Sequence, residues 1–377
     1  MDLADSAEEA AFRARLREWL GKALPTLPPR PSPADWPARR AYDLGWQRML
    51  YDAGYGHVHW DAPPGVRLIF LEETEKAGAP YVGANFVGLL HAGPTVAAEG
   101  TEEQRARWLP PILRGEEVWC QGFSEPGAGS DLAALRTRAW RDGDHYVVSG
   151  SKIWTSHAEV ANWCELLVRT DPEAPRHRGI TWLALPMDAP GVTVRPLRTL
   201  AGSTEFAEVF LDEVRVPVGH RVGSENDGWR VTMVTLSFER GTAFAGEVVA
   251  CRRVLGELAH EARHNGRWDD PALRRRLGRL NAEFRALWRL TQWNVSAAEA
   301  SGGVPGVAGS VFKLRYSQAR QDLYDTAAEV LGDAALDLDR PWVLDRLTSL
   351  SYTIAAGTSQ IQRNIVGERI LGLPKGR

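Results

Sequence analysis

The sequence has few cysteines, and those it has are far apart. Only three occur among 377 residues, Cys120, Cys164 and Cys251, and no two of them have C-x-x-C spacing. A disulfide framework needs several cysteines, and a zinc site needs closely spaced thiol or imidazole ligands. The sequence therefore predicts neither a disulfide-stabilised fold nor a metal site.

Long apolar runs and an excess of charge of one sign are also missing. No run of about eighteen consecutive apolar residues occurs, and residues 1–9 lack the cationic and apolar regions of a signal peptide. The net charge is −3 with 25% charged residues, and there is no basic tract of the kind that binds nucleic acid. We expect a soluble cytoplasmic protein without a membrane or nucleic-acid partner.

Helical signals come first along the chain. Apolar residues between 6 and about 24 recur at three- and four-residue steps, which predicts an amphipathic helix. A proline-rich loop from Pro25 to Pro37 is expected to follow it. Further on, Thr101 is a good N-cap for a helix that the pair Pro110-Pro111 is expected to break.

From Glu117 onward, short β-like segments replace the helices. Residues 137–149 have the pattern strand, Asp-Gly turn, strand, which predicts a β-hairpin. Further strands are predicted at 163–169, 179–186, 192–196 and 207–217. A helical period resumes near Gly228, with breaks at 264–270, 301–307 and 332–341. Helices, then strands, then helices indicate an α+β fold with segregated layers.

The stretch Gln121–Asp131 has the features of a ligand-binding loop. It reads Q-G-F-S-E-P-G-A-G-S-D. Pro126 fixes φ and lacks an N–H donor, while the two glycines after it permit positive φ and a close approach of a ligand to the backbone. Ser124 and Ser130 are then presented beside free N–H groups, which suits flavin carbonyls, a phosphate or a thioester tail. A plain surface turn is the alternative.

Two more motifs point in the same direction. The segment Lys152–Ser156 reads K-I-W-T-S; its indole can lie against a planar ring system, and its last serine can bond a ring nitrogen or carbonyl. The segment Ala355–Arg363 reads A-A-G-T-S-Q-I-Q-R and offers Thr358 or Ser359 as N-cap of a last helix. A helix N-terminus presents free N–H groups to anionic or polar ligand atoms.

With these three motifs in this order and at this spacing, the sequence resembles the flavin-dependent acyl-CoA dehydrogenases over nearly its whole length. The resemblance implies a helical N-terminal domain over 1–116, a middle β-barrel over 117–226 and a C-terminal four-helix bundle over 227–377. It also implies the α,β-dehydrogenation of an acyl-CoA thioester to the trans-2-enoyl-CoA. FAD is then the cofactor, and an electron-transferring flavoprotein takes the electrons.

The same resemblance assigns contacts with FAD. The residues that match the family's cofactor positions are Gln121, Phe123, Ser124, Ser130, Trp154, Ser156, Thr358 and Gln360. Ser130 is equally a candidate for contact with the CoA tail of the substrate. The alternative is that Phe123 and Trp154 are core aromatics and that Thr358 and Gln360 only cap the last helix.

The sequence departs from the commonest family pattern at the catalytic base. Many members carry a glutamate immediately before the Gly-Thr-Ser of the third motif, where this chain has Ala356. A minority, including isovaleryl- and long-chain-type enzymes, use a glutamate followed by an arginine on an earlier helix. Glu239-Arg240 lies at the matching place, in a mostly apolar stretch. A carboxylate in such a stretch is expected either to pair with a cation or to have a catalytic role.

The resemblance thus implies that Glu239 accepts the α-proton, with desolvation raising its basicity. The alternative is a structural Glu239 paired with Arg240 or another cation. Arg240 and Ala356 are candidates for contact with the substrate, since the backbone N–H at position 356 helps hold the thioester carbonyl in the family. Because Ala355 and Ala356 are both small, we expect a branched, cyclic or otherwise bulky acyl group.

The assembly is a further open question. The connection His260–Pro271 lacks the Phe-Gly pair with which family members often reach a neighbouring subunit's FAD. This fits a bacterial subgroup with heteromeric members, and we expect a homo- or hetero-oligomer, either a dimer or a tetramer. Three other functions stay open: dehydrogenation of a carrier-protein-bound acyl group, a flavin oxidase or monooxygenase of the same fold, and a non-catalytic subunit whose partner holds the base.

Overall fold

The computed structural model describes residues 4–80, 82–239, 244–300 and 308–374, without the side chains of 237–239 and 297–300. Its contacts divide the chain into two compact units. The sheet unit comprises Ala23–Ala62 and Pro80–Glu239, and the bundle unit comprises Met1–Lys22, Pro63–Ala79 and Arg240–Arg377. The three domain ranges predicted from the sequence stay a prediction.

The N-terminal part of the chain is helical, as the sequence predicts. Its α-helices are α1 (Ala7–Ala23), α2 (Trp36–Asp52), α3 (Val58–Asp61), α4 (Pro64–Lys76), α5 (Gly93–Glu99) and α6 (Glu102–Leu113). The predicted proline-rich loop is wrong at its end, because Pro37 already lies in the first turn of α2. The Asp35 side chain caps this helix by accepting the Ala38 N–H at 3.0 Å, and a proline is tolerated in a first turn.

The start of α6 is confirmed, whereas the predicted break within it is wrong. Thr101 and Gln104 form a capping box, in which each side chain accepts the other's backbone N–H. The helix nevertheless continues through Pro110-Pro111 to Leu113. The prolines lie in its last turns, where the Pro110 carbonyl still accepts the Arg114 N–H at 3.0 Å. Only a few helical residues follow, so the lost donors do not end the helix earlier.

Eight strands form one sheet in the middle of the chain. They are β1 (Trp119–Gly122), β2 (Arg138–Asp142), β3 (His145–Ser156), β4 (Trp163–Arg169), β5 (Ile180–Pro186), β6 (Val192–Leu197), β7 (Phe206–Pro217) and β8 (Arg221–Val222). Their order is β6-β7-β3-β2-β4-β5-β8, with β1 paired in parallel to β4. Within the described ranges no pairing joins β6 to β8. A middle β region between two helical segments is confirmed.

The predicted hairpin is present, with its turn one residue later than the sequence suggests. Asp142 and His145 are paired, so the two turn residues are Gly143 and Asp144. Gly143 has φ +60°, and a two-residue turn with positive φ at its first position favours glycine there.

The C-terminal part is helical again. Its α-helices are α7 (Gly228–Glu239), α8 (Ala245–His264), α9 (Pro271–Ala300), α10 (Ala308–Leu331), α11 (Pro341–Ser349) and α12 (Ser359–Ile365). The breaks predicted at 264–270 and 332–341 are confirmed, and the one at 301–307 lies outside the described residues. One apolar core includes the fully buried Leu258 of α8, Phe284 of α9 and Leu323 of α10. Across the described part of the chain, none of the helices has the length and apolar character needed to cross a membrane.

Candidate functional site

The first two motifs lie side by side in the sheet unit. The Ser124 carbonyl, just after β1, accepts the Ile153 N–H of β3 at 2.9 Å. The Lys152 ammonium donates to the Phe123 carbonyl at 3.2 Å, across 29 positions of sequence. The fold therefore joins the two stretches that the sequence singles out.

A buried ion pair underlies both motifs, and sequence reasoning missed it. Lys152 is fully buried and Glu125 nearly so, and the ammonium lies 2.8 Å from a Glu125 carboxylate oxygen. The backbone N–H groups of Arg136 and Thr137 donate to the same carboxylate at 2.7 and 2.8 Å. Burial acts to raise the pKa of Glu125, but the Lys152 charge and these donors hold it below the usual value. The available signal was a lysine in one motif and a glutamate in the interior of the other.

The two glycines that follow Pro126 do not use the positive φ that the sequence allows them. Gly127 and Gly129 are absent from the left-handed residues. Glu125 and Ala128 exchange two backbone hydrogen bonds of 3.1 and 3.0 Å, which closes a tight turn between them. A Cβ added at either glycine would meet no neighbouring atom of the described chain within 4 Å. Glycine therefore leaves open space beside the backbone for a ligand.

Trp154 is turned outward by a β-bulge. Between Lys152 and Thr155, β3 has one residue more than its partner β7. Trp154 has φ +61°, is 58% exposed, and its ring meets Phe206 edge to face at 6.0 Å between centroids. A bulky residue in the left-handed region is strained, and such strain concentrates at ligand sites. Trp154 is thus not a core residue, whereas Phe123 is buried with 4% exposure.

Gln121 is half-buried, and its side-chain amide is fixed by Glu165 and His91. It lies opposite Glu165 in the β1–β4 pair, and its amide donates to the fully buried Glu165 carboxylate at 2.8 Å. The same nitrogen is 3.2 Å from Nδ1 of His91. These contacts fix the Gln121 amide on β1.

The serines of the two motifs differ in exposure. Ser130 is exposed and precedes Asp131, which forms an ion pair with Arg176 of the loop after β4. Ser124 and Ser156 are half-buried, one at each side of the hydrogen-bonded junction between the motifs. Ser124 and Ser130 thus lie in the motif that contains the two glycines, and Ser156 lies in the neighbouring motif on β3.

His157, directly after Ser156, is buried and neutral. It has φ +60°, its ring packs 5.0 Å from the Trp36 ring, and burial lowers its pKa to about 4. Burial disfavours the imidazolium, so His157 stays uncharged at neutral pH.

We expect His157→Asn to make the free energy of unfolding less dependent on pH between about 6.5 and about 4. Because the folded pKa lies below the ordinary value, protonation favours the unfolded chain, and stability falls as the pH drops. A shift of this size corresponds to about 3 kcal/mol. Asparagine is chosen because it tolerates left-handed backbone. Denaturant unfolding of both proteins across this pH range measures the effect; parallel curves would show that His157 does not titrate as described.

The third motif lies in the bundle unit. Of the two candidate caps, Thr358 is the N-cap of α12, and its hydroxyl accepts the Ile361 N–H at 3.2 Å. Ser359 is the first helical residue and is buried, while Gln360 is exposed. Thr358 therefore caps the helix, whereas the Gln360 side chain is directed away from the protein interior.

Ala356 forms a left-handed corner just before α12. It is exposed with φ +51°, and Gly357 follows with φ +83°. The Lys313 ammonium donates to the carbonyls of Tyr352 and Gly357, both at 2.8 Å, and the Gln362 amide donates to that of Ala356 at 3.1 Å. Sequence reasoning found neither Lys313 nor Gln362. No pattern in the sequence marks a contact that reaches across 44 positions.

Glu239 is the last residue of α7, and its side chain lies outside the described residues, as does the whole of Arg240. The helix that carries Glu239 is firmly fixed in the sheet unit. Arg230 at its start binds Glu99 through two hydrogen bonds of 2.7 and 2.8 Å, and the buried Thr235 hydroxyl lies 2.9 Å from that of Thr95. The backbone of α7 is thus anchored up to the last turn before Glu239.

Family models match the chain in three consecutive parts. The acyl-CoA dehydrogenase N-terminal domain matches residues 6–116, the middle domain 120–214 and the C-terminal domain 226–371. The chain belongs to the acyl-CoA dehydrogenase family. It is an oxidoreductase that dehydrogenates acyl-CoA, and FAD is the cofactor of the family.

Similar proteins agree with this membership. The acyl-CoA dehydrogenase IpdE1 of Mycobacterium tuberculosis is 38% identical over 386 residues, with 97% of each chain covered. A structure named "Tcur3481-Tcur3483 steroid ACAD" has 31% identity and a TM-score of 0.85, with both chains fully covered. The ChsE4-ChsE5 complex from Mycobacterium tuberculosis has 30% identity and a TM-score of 0.84, again with both chains fully covered.

Proposed function

We propose that the protein dehydrogenates an acyl-CoA thioester with a bulky, ring-containing acyl group and passes the electrons to an electron-transferring flavoprotein. The observation that carries the proposal is the exposed corner at Ala355 and Ala356. Where many family members have a glutamate, this chain offers two methyl groups. Small side chains leave room for substituents close to the reacting carbons, so a branched or cyclic acyl group is favoured over a straight chain.

The names of similar proteins support this acyl class. The structure called a steroid ACAD is 31% identical to this chain over its full length. A ring or a branch near the thioester carbonyl needs room beside the reacting carbons, and the small side chains at 355 and 356 are consistent with that need. We therefore infer a thioester derived from a steroid side chain or ring as the substrate class.

The described residues fit a planar cofactor at the first two motifs. Trp154 presents an exposed indole on strained backbone, and an added Cβ at Gly127 or Gly129 would meet open space. Ser124, Ser130 and Ser156 supply hydroxyls within the same two motifs. We propose that FAD is held here by Gln121, Phe123, Ser124, Ser130, Trp154 and Ser156; for Thr358 and Gln360, contact with FAD stays a prediction. When bound, FAD supplies the acceptor for the β-hydrogen and its electron pair.

The chain's own residues supply the proton chemistry. Glu239 is proposed to take the α-proton, while the β-hydrogen leaves with its electron pair and a double bond forms between the two carbons. As charge develops on the thioester oxygen, the N–H of Ala356 is proposed to hold it. Among the described residues, that N–H has no acceptor. Arg240 and Ser130 are proposed to contact the substrate.

We propose a heteromeric assembly, a dimer or a tetramer. Two similar structures are named as pairs of chains, Tcur3481-Tcur3483 and ChsE4-ChsE5. In this chain the connection between α8 and α9 contains a short 3-10 helix, Arg267–Asp269, in place of the family's Phe-Gly pair. A partner chain of the same family is the expected second subunit.

The acyl class is tested by comparing thioesters on the FAD-loaded protein with an artificial electron acceptor. We expect kcat/KM for cyclohexane-1-carbonyl-CoA to exceed that for octanoyl-CoA by about tenfold or more, because differential fit of apolar groups has effects of this size. Faster turnover of octanoyl-CoA would overturn the acyl class. Flavin-loaded protein that reacts with no thioester would favour the carrier-protein, oxidase or non-catalytic alternatives. Adding electron-transferring flavoprotein as the acceptor tests the electron partner separately.

A further inference from the structure

Lys313 is a buried cation for which the proposed chemistry has no use. Its side chain, on α10, is 5% exposed, and burial lowers its pKa to about 8. Among the described residues no carboxylate pairs with it; its ammonium donates to the carbonyls of Tyr352 and Gly357, both at 2.8 Å. Burying an ammonium without a counter-ion costs free energy. The free-energy cost indicates that the two bonds from Lys313 to the backbone serve a structural role.

The two carbonyls delimit the left-handed corner that carries Ala356. A non-glycine residue at φ +51° is strained by its Cβ, and the strain persists only where the surroundings fix the backbone. Here the fixing contacts are known. Lys313 binds the segment at both ends, and the Gln362 amide binds the Ala356 carbonyl at 3.1 Å.

The side chain of Tyr352 is fixed as well as its backbone. Its hydroxyl donates to the Glu247 carboxylate of α8 at 3.0 Å, so both its carbonyl and its side chain are tied to the bundle core. The bonds from the ammonium are charge-assisted and stronger than those of a neutral donor. Within the described ranges, the N–H of Ala356 and that of Gly357 reach no acceptor. The corner is thus rigid on its carbonyl side and open on its N–H side.

We propose that Lys313 is a positioning residue for dehydrogenation: it keeps the 352–357 corner in the conformation that leaves the Ala356 N–H free for the thioester oxygen. This rests on the proposed function, in which that N–H stabilises the developing enolate. Lys313 acts through the backbone and does not touch the substrate. Its loss should therefore lower the rate of the chemical step more than it weakens binding.

The test is Lys313→Met in the FAD-loaded protein. The Ile354 and Ala355 N–H groups donate to the Ser351 carbonyl at 2.9 and 2.8 Å. We expect these two bonded amides to exchange with deuterium about tenfold faster, and kcat for cyclohexane-1-carbonyl-CoA to fall about tenfold, while KM and flavin content change little. Adding Ala356→Gly should restore part of kcat, because glycine adopts this φ without strain. Lys22→Met, at an exposed lysine of α1, is the control and should leave exchange and rate unchanged.

The outcomes separate the two proposals. Unchanged exchange at the bonded amides of Ile354 and Ala355, or unchanged kcat in an active enzyme, overturns the role of Lys313 alone. If the wild type reacts with no thioester, the proposed function fails and the role of Lys313 falls with it. If Lys313→Met does not fold, Gln362→Leu releases the same corner from the Ala356 carbonyl. It should show the same two changes, smaller in size, and its failure to do so overturns the proposal.

Discussion

Lys152→Met is expected to destabilise the protein by about 3–5 kcal/mol and to abolish FAD retention. The substitution keeps an apolar stem of similar length but leaves the Glu125 carboxylate buried without its cation. An uncompensated buried charge is more costly than the lost attraction alone. Glu125 belongs to the turn of the first motif, and its carboxylate accepts the N–H groups of Arg136 and Thr137. The loop that we propose to face FAD should therefore lose its shape as well.

Denaturant unfolding and the flavin absorbance that remains after gel filtration measure these two effects. The matched control is the double variant Glu125→Gln with Lys152→Met, which removes both charges and should recover part of the lost stability. Wild-type stability and flavin content in Lys152→Met would show that the pair does not support the motif.

The sequence predicts what depends on local pattern. The strands β4 to β7 appear within a residue or two of their predicted bounds, because turn residues delimit each apolar run. Thr101 is an N-cap for the same local reason. The three motifs identified the family because residue types at fixed spacing carry that information, and the matching family models confirm it.

What the sequence did not predict depends on contacts between distant segments. Lys152 reaches Glu125 only because β3 runs beside the end of β1, and Lys313 reaches Gly357 across 44 positions. The bulge at Trp154 arises from a mismatch between β3 and β7, which neither strand shows alone. Single-segment patterns carry no such pairing information. At Pro110-Pro111 the local pattern predicted a helix break that does not occur. The helix tolerates both prolines because they lie in its last turns.

Glu239→Gln is expected to lower kcat by about a hundredfold or more while flavin content stays unchanged. Glutamine preserves size and polarity but cannot accept a proton. Position 356 offers no substitute, because its alanine has no basic group, and α7 holds position 239 through Arg230 and Thr235. Glu239→Asp is the matched variant: it keeps the carboxylate but withdraws it by one methylene, so an intermediate rate is expected. If Glu239 only pairs with a cation, Glu239→Gln should lose stability rather than rate.

We propose that this family member dehydrogenates acyl-CoA with its base at the end of α7 and not at position 356. Rapid anaerobic mixing of FAD-loaded wild type and Glu239→Gln with cyclohexane-1-carbonyl-CoA tests it most directly, with flavin absorbance followed and the product mass determined. We predict that wild type loses its flavin absorbance and yields a thioester with two hydrogens fewer, and that the variant does so about a hundredfold more slowly. Equal rates in the two proteins would contradict the assignment of the base. A stable flavin spectrum in wild type would contradict dehydrogenation of this thioester.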